Sequence, residues 1–169
     1  SAFIEAAGVS AALLTKKEAE KLCVEMFNQN KNSKFQTIGN EVWIKRLPLL
    51  SKKGLYHLVG KVDRVDQYQD YVRIIDYKTG DAKSKSTDNN FYAGKNIQLY
   101  LYMNAFTANG NKPAGAYYYA VNNNFKSEGT DTSILHGKTL DDEEIISASD
   151  EELFSGRTDK SSVHEIKRK

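Results

Sequence analysis

The residues best equipped for chemistry fall in three short pieces, Gly60-Lys-Val-Asp63, Ile74-Ile75-Asp76-Tyr77-Lys78 and Gln98-Leu-Tyr-Leu-Tyr102. Asp76 and Lys78 are two apart, so on a strand they project to the same face, about 7 Å apart along the chain. Burying such an ionisable pair costs free energy unless it is used or satisfied. Asp63 comes from the preceding segment, and a hairpin would set it beside Asp76. Two carboxylates on adjacent strands make a hard-oxygen site suited to Mg2+, which keeps several waters and leaves room for a substrate phosphate. The Tyr77 backbone carbonyl is a further candidate ligand. A Lys next to that site can orient or deprotonate a water, or stabilise negative charge on a pentavalent phosphorus. The chemistry so equipped is metal-assisted phosphodiester hydrolysis. Gln98 and Tyr102, four apart on a helix, share a face and offer an amide and a phenol to the site or to a nucleic-acid backbone. An Asp-x-Lys alone is commonly a structural ion pair; the complete set gives it functional weight.

The elements that must position these groups follow from periodicity. A helix is expected over residues 15–30, with Ala19, Leu22, Cys23, Met26 and Phe27 at helical spacing behind a Thr15-Lys-Lys-Glu18 capping box, which makes Cys23 a core residue. Strands are expected over 35–47, ended or interrupted by Pro48, over 55–69 after a Ser51-Lys-Lys-Gly54 turn, and over 71–78. The last is apolar on both faces and therefore central to its sheet. A polar loop over 81–90 leads to a helix over 95–108 that is apolar nearly all round and hence buried. Asn109-Gly110-Asn111 stops that helix, and 114–121 reads as another strand. Beyond it the reading is a polar excursion over 122–139, an acidic helix over 141–153 and a terminal strand over 162–167. This order gives an α/β fold with a central mixed sheet flanked by helices.

Composition bounds the remaining choices. The 169 residues suffice for one packed domain, and the single cysteine, Cys23, excludes an intramolecular disulfide or a cysteine-built metal site within this chain. No stretch approaches the ~20 apolar residues of a membrane span, so a soluble, cytoplasmic protein is expected. The net charge of +2 hides an asymmetry: residues 1–122 carry 17 basic and 11 acidic groups, and residues 123–155 carry 2 and 9. The basic part has the sign required to face a polyanion.

Together with Asp76-Tyr-Lys-Thr-Gly80, Tyr92-Ala-Gly94 and Pro113-Ala-Gly-Ala-Tyr117, the set resembles the PD-(D/E)xK nuclease superfamily. Within it, the chain is most similar to the RecB-like branch, whose G-x-x-D, D-Y-K and Q-x-x-x-Y pattern matches Gly60 to Asp63, Asp76 to Lys78 and Gln98 to Tyr102. The flanks look most like the C-terminal nuclease domain of the B subunit in AddAB- or RexAB-type helicase-nucleases, over residues 36–155. The resemblance implies a restriction-endonuclease-like core and a single nuclease domain over 1–169, cut from a larger subunit. It implies Mg2+-dependent exonucleolytic hydrolysis of DNA, chiefly single-stranded, beside an AddA- or RexA-like partner subunit, in processing double-strand breaks for recombinational repair. Mn2+ is an acceptable substitute.

Carried over by position, Asp63 and Asp76 hold the metal, Lys78 serves catalysis, and Gln98 and Tyr102 support them. Two departures stand out. Many relatives carry a four-cysteine iron-sulfur cluster, which is not expected here, and this also argues against a Cas4-like nuclease. The branch often has a His or Glu on an upstream helix; no His precedes His57, and Glu41 is the candidate substitute. His57 reads as structural, and Asp66, of opposite parity to Asp63, as a local partner of Arg64. The competing reading is a catalytically silent nucleic-acid-binding or assembly module on the same fold.

Overall fold

β-branched and aromatic residues alternating between two faces set the sheet, and the computed structural model describes residues 16–78, 92–121 and 135–151 of the chain. Helix α1 spans Lys16–Lys31, followed by strands β1 (Gln36–Ser51), β2 (Gly54–Tyr68) and β3 (Tyr71–Lys78). Helix α2 (Gln98–Thr107) then leads to β4 (Lys112–Ala120), β5 (Leu135–Thr139) and α3 (Glu143–Ser149). The five strands lie in the order β1-β2-β3-β4-β5. All neighbours are antiparallel except β3 and β4, which run parallel. The parallel pair needs a crossover, and α2 lies within it. This is the mixed sheet with flanking helices of a restriction-endonuclease-like α/β fold.

β3 is central, as its two apolar faces require. Val72 and Ile74 join a core cluster with Leu99, Tyr102 and Met103 of α2, whereas Ile75 joins Tyr117, Tyr119 and Met26 of α1 on the other face. A third cluster places Phe35 against Ile145 and Ala148 of α3. The two-residue turn Gln69-Asp70 registers Tyr68 against Tyr71, and this fixes every later pair of the β2–β3 ladder.

Several expectations need correction. Pro48 does not end β1: the strand continues to Ser51 with Pro48 opposite His57, because β1 is an edge strand and the missing N–H costs no ladder bond on its open side. The excursion placed at 122–139 stops earlier, since Leu135–Thr139 forms β5 against β4. β4 begins at Lys112, so Pro113 lies inside it. Cys23 is half-buried rather than core, and Phe27 is 64% exposed. The Thr15 cap, the 81–90 loop and the 162–167 strand lie outside the described residues.

Candidate active site

The β2–β3 ladder runs from Tyr68↔Tyr71 to Arg64↔Ile75, and Asp63 and Asp76 occupy the next step. Here a side chain replaces the ladder: Asp63 Oδ2 accepts the Tyr77 backbone N–H at 2.8 Å. β3 meanwhile keeps its pairing with β4 as far as Lys78↔Ala120. The strands thus stop bonding where the two carboxylates sit. Asp76 is buried at 6% exposure. Lys78 Nζ lies 2.5 Å from Asp76 Oδ2, yet off the direction of a hydrogen bond, so this buried oxygen has a charged neighbour and no aligned donor.

The electrostatics follow from that crowding. Burial pushes the Asp63 carboxyl above its usual range and Asp76 adds to this, while the Tyr77 N–H, Lys78 and Lys61 pull it down. Tyr118, the β4 partner of Asp76, lies under the Lys78 ammonium at 5.7 Å and donates its hydroxyl to the Asn96 carbonyl at 2.8 Å. Burial, then Asp76 and Tyr100, raise its hydroxyl to about 12, so it stays protonated. Two adjacent carboxylates with a donor-less buried oxygen are a donor set that fits a hard divalent cation. Glu41 does not join them: it is exposed, at φ +52°, and pairs with Lys61 at 2.7 Å. Among the described residues no three His, Cys, Asp or Glu side chains converge.

Gln98 and Tyr102 meet each other. The Gln98 amide donates to the Tyr102 hydroxyl at 2.7 Å. Tyr102 is buried and its ring and hydroxyl lie over the backbone of Gly60, where an added Cβ would collide with them. The first and third sequence pieces are therefore one contact, in which Gly60 is required for close approach of helix to strand. The amide thus fixes the phenol against β2 at Gly60.

Asp66 takes the structural role expected of it, on a larger scale than a single local partner. It is fully buried with Arg73, and Arg64 is 2% exposed. Arg64 donates Nε to Oδ1 at 2.7 Å and Nη2 to Oδ2 at 2.7 Å, Arg73 Nε donates to Oδ2 at 2.9 Å, and the Thr37 hydroxyl donates to Oδ1 at 2.8 Å. Burial opposes ionisation, but Arg73 and Arg64 outweigh it and hold the carboxyl below its usual range. Arg64 also donates to Asn30 of α1 at 2.6 Å, and the Arg73 guanidinium stacks over Phe35 at 4.6 Å. Asp66 and Arg73 face each other across β2 and β3, so the network pins the register that sets Asp63 against Asp76. His57 is exposed on β2.

Sequence reasoning missed Lys61 and Tyr118. Strand parity with Asp63 was a usable signal for Lys61; Tyr118 had none, because its place depends on the β3–β4 register.

Similarity to known proteins agrees with this geometry. Residues 3–167 match the PD-(D/E)XK nuclease superfamily. The chain is 32% identical over 160 residues to the B subunit of the ATP-dependent helicase/deoxyribonuclease of Clostridium perfringens, covering 76% of this chain and 14% of the relative. It is 31% identical over 116 residues to the protein of that name in Staphylococcus haemolyticus (55% and 10%), and 29% over 128 residues to that of Clostridioides difficile (63% and 11%). The chain thus spans a small part of the length of these relatives. With strand order, carboxylate pair and sequence match in agreement, the chain belongs to the PD-(D/E)XK nuclease superfamily.

Proposed function

We propose that this nuclease domain hydrolyses DNA phosphodiesters by a Mg2+-dependent, exonucleolytic reaction, chiefly on single strands, as part of a helicase-nuclease that processes double-strand breaks. The observation that carries the reading is the Asp63–Asp76 pair, with one buried oxygen lacking a donor, set against Lys78. A divalent cation such as Mg2+, held by Asp63 and Asp76 with the Tyr77 carbonyl as a further oxygen, supplies Lewis-acid polarisation of phosphate and lowers the pKa of nearby water. Asp76 is fixed by β4 behind it and presents the oxygen that accepts no hydrogen bond where β2 and β3 part. Lys78, 26% exposed, reaches solvent and substrate, and its ammonium holds a proton beside a phosphoryl oxygen to offset developing charge. Tyr118 shields that ammonium from below, and the Gln98–Tyr102 pair fixes the α2 side.

Asp76→Ala and Lys78→Ala are expected to abolish Mg2+-dependent degradation of single-stranded DNA with native circular dichroism retained. Undiminished activity in a preparation free of contaminating nuclease would overturn the assignment. Titration calorimetry with Mg2+ or Mn2+ is expected to show binding heat that disappears in Asp63→Asn; a chain that binds neither cation is the silent module instead.

A further inference from the structure

The β1–β2 hairpin has properties that hydrolysis at Asp63 and Asp76 does not use. From residue 43 to residue 61 it carries Lys45, Arg46, Lys52, Lys53 and Lys61, and no Asp or Glu. Trp43, the only tryptophan, is 62% exposed on this hairpin. Its Cα partner is Lys61, whose ammonium lies 5.9 Å from the indole centroid. Lys61 is two residues from Asp63 on the same strand and close enough to act on its carboxyl. A cavity of about 350 Å3 opens beside these groups, lined by Trp43, Lys45, Arg46 and Pro48 of β1 and by Phe106 and Asn109 at the end of α2.

An exposed aromatic face flanked by cations, with no acid between residues 43 and 61, matches a strand of nucleic acid, which offers a π-face at each base and a negative charge at each phosphate. The placement is continuous with the carboxylates, since two residues of strand cover about 7 Å. Glu41, the acid paired with Lys61, belongs to a half-exposed ion pair, weak enough for a phosphate to displace.

We propose that the β1–β2 hairpin is the single-stranded DNA track of this domain: a base stacks on Trp43, and Lys45, Arg46 and Lys61 carry the backbone to the Asp63–Asp76 pair. This rests on the nuclease reading above but is tested without catalysis. With EDTA present, an oligo-dT strand is expected to quench the emission of Trp43, the sole indole reporter, in a salt-dependent way. Anisotropy of a fluorescein-labelled oligo-dT is expected to show about a tenfold weaker Kd for Trp43→Ala, with Trp43→Phe nearer the native value, as loss of one stacked base requires. Lys45→Ala/Arg46→Ala is expected to lower the slope of log K against log salt by about one or more. Unquenched emission, with native affinity in all these variants, would overturn the proposal and give the face to a protein partner. If binding behaves as expected while Asp76→Ala keeps full nuclease activity, the hydrolysis reading fails and the track stands.

Discussion

Three aspartates on two neighbouring strands have opposite surroundings. Asp66 is fully buried and accepts four hydrogen bonds from Thr37, Arg64 and Arg73. Asp63, three residues away on β2, accepts one from a backbone N–H, and Asp76 keeps a buried oxygen with none. A carboxylate whose lone pairs are all used has no coordination left for a ligand, whereas one with an oxygen that accepts no hydrogen bond still has coordination to offer. On the proposed reading, the difference separates register-holding from chemistry.

That contrast can be broken experimentally, beginning with its largest effect. Lys78→Ala is expected to lower the rate of single-strand degradation by ~10²–10⁴, because a positioned proton or charge is lost, and to cost less in urea unfolding than Asp66→Ala, because it cuts one partly exposed ion pair with Asp76 and no buried network. Asp66→Ala is expected to do the reverse first: it strands two buried guanidinium groups and costs about 3–5 kcal/mol in urea unfolding. Native stability in Asp66→Ala would erase the distinction.

Acidification sharpens it. Asp66 binds its proton less tightly in the folded chain than in the unfolded one, so its stabilisation is complete above the ordinary carboxylate pKa of ~3.9 and is lost as pH falls below that. Thermal midpoints across this range are expected to fall more steeply for the native chain than for Asp66→Asn, which has no such proton to gain. The smallest effect is Asp63→Asn in metal-free buffer. It keeps an acceptor for the Tyr77 N–H and removes a desolvated charge beside Asp76, so the melting temperature is expected to rise, by under about 1 kcal/mol of stability. A fall in melting temperature would show that Asp63 holds the fold as Asp66 does.

Much of this was legible in the sequence, for identifiable reasons. β3 was read to the residue because its apolar residues fill both faces between turn signals, and Asp76 and Lys78 then follow from alternation alone. The pairing of Asp63 with Asp76 followed from a tight hairpin. Residue alternation could not reveal that Pro48 stays in β1, because tolerance of proline depends on which side of the strand is open. Leu135 to Thr139 escaped because a five-residue edge strand containing Gly137 and Lys138 has little β pattern of its own; its place comes from β4. Gln98 and Tyr102 were placed on one helix face, but their target was not readable, since Gly60 contributes no side chain and only the packed fold exposes its backbone to the phenol.

The two-residue turn at Gln69-Asp70 has a kinetic consequence. It makes Asp63 and Asp76 near neighbours in sequence, so they meet on the timescale of hairpin closure, ~1–10 μs. The β3–β4 pair must first close the longer segment from Tyr71 to Lys112, which raises the loop entropy cost by about 1 kcal/mol. Folding therefore favours bringing the carboxylates together before the crossover helix packs on the sheet. An error in docking α2 would then leave a domain with its acidic pair intact and its wall missing, and proteolysis between β3 and β4 during refolding is where such a species would show.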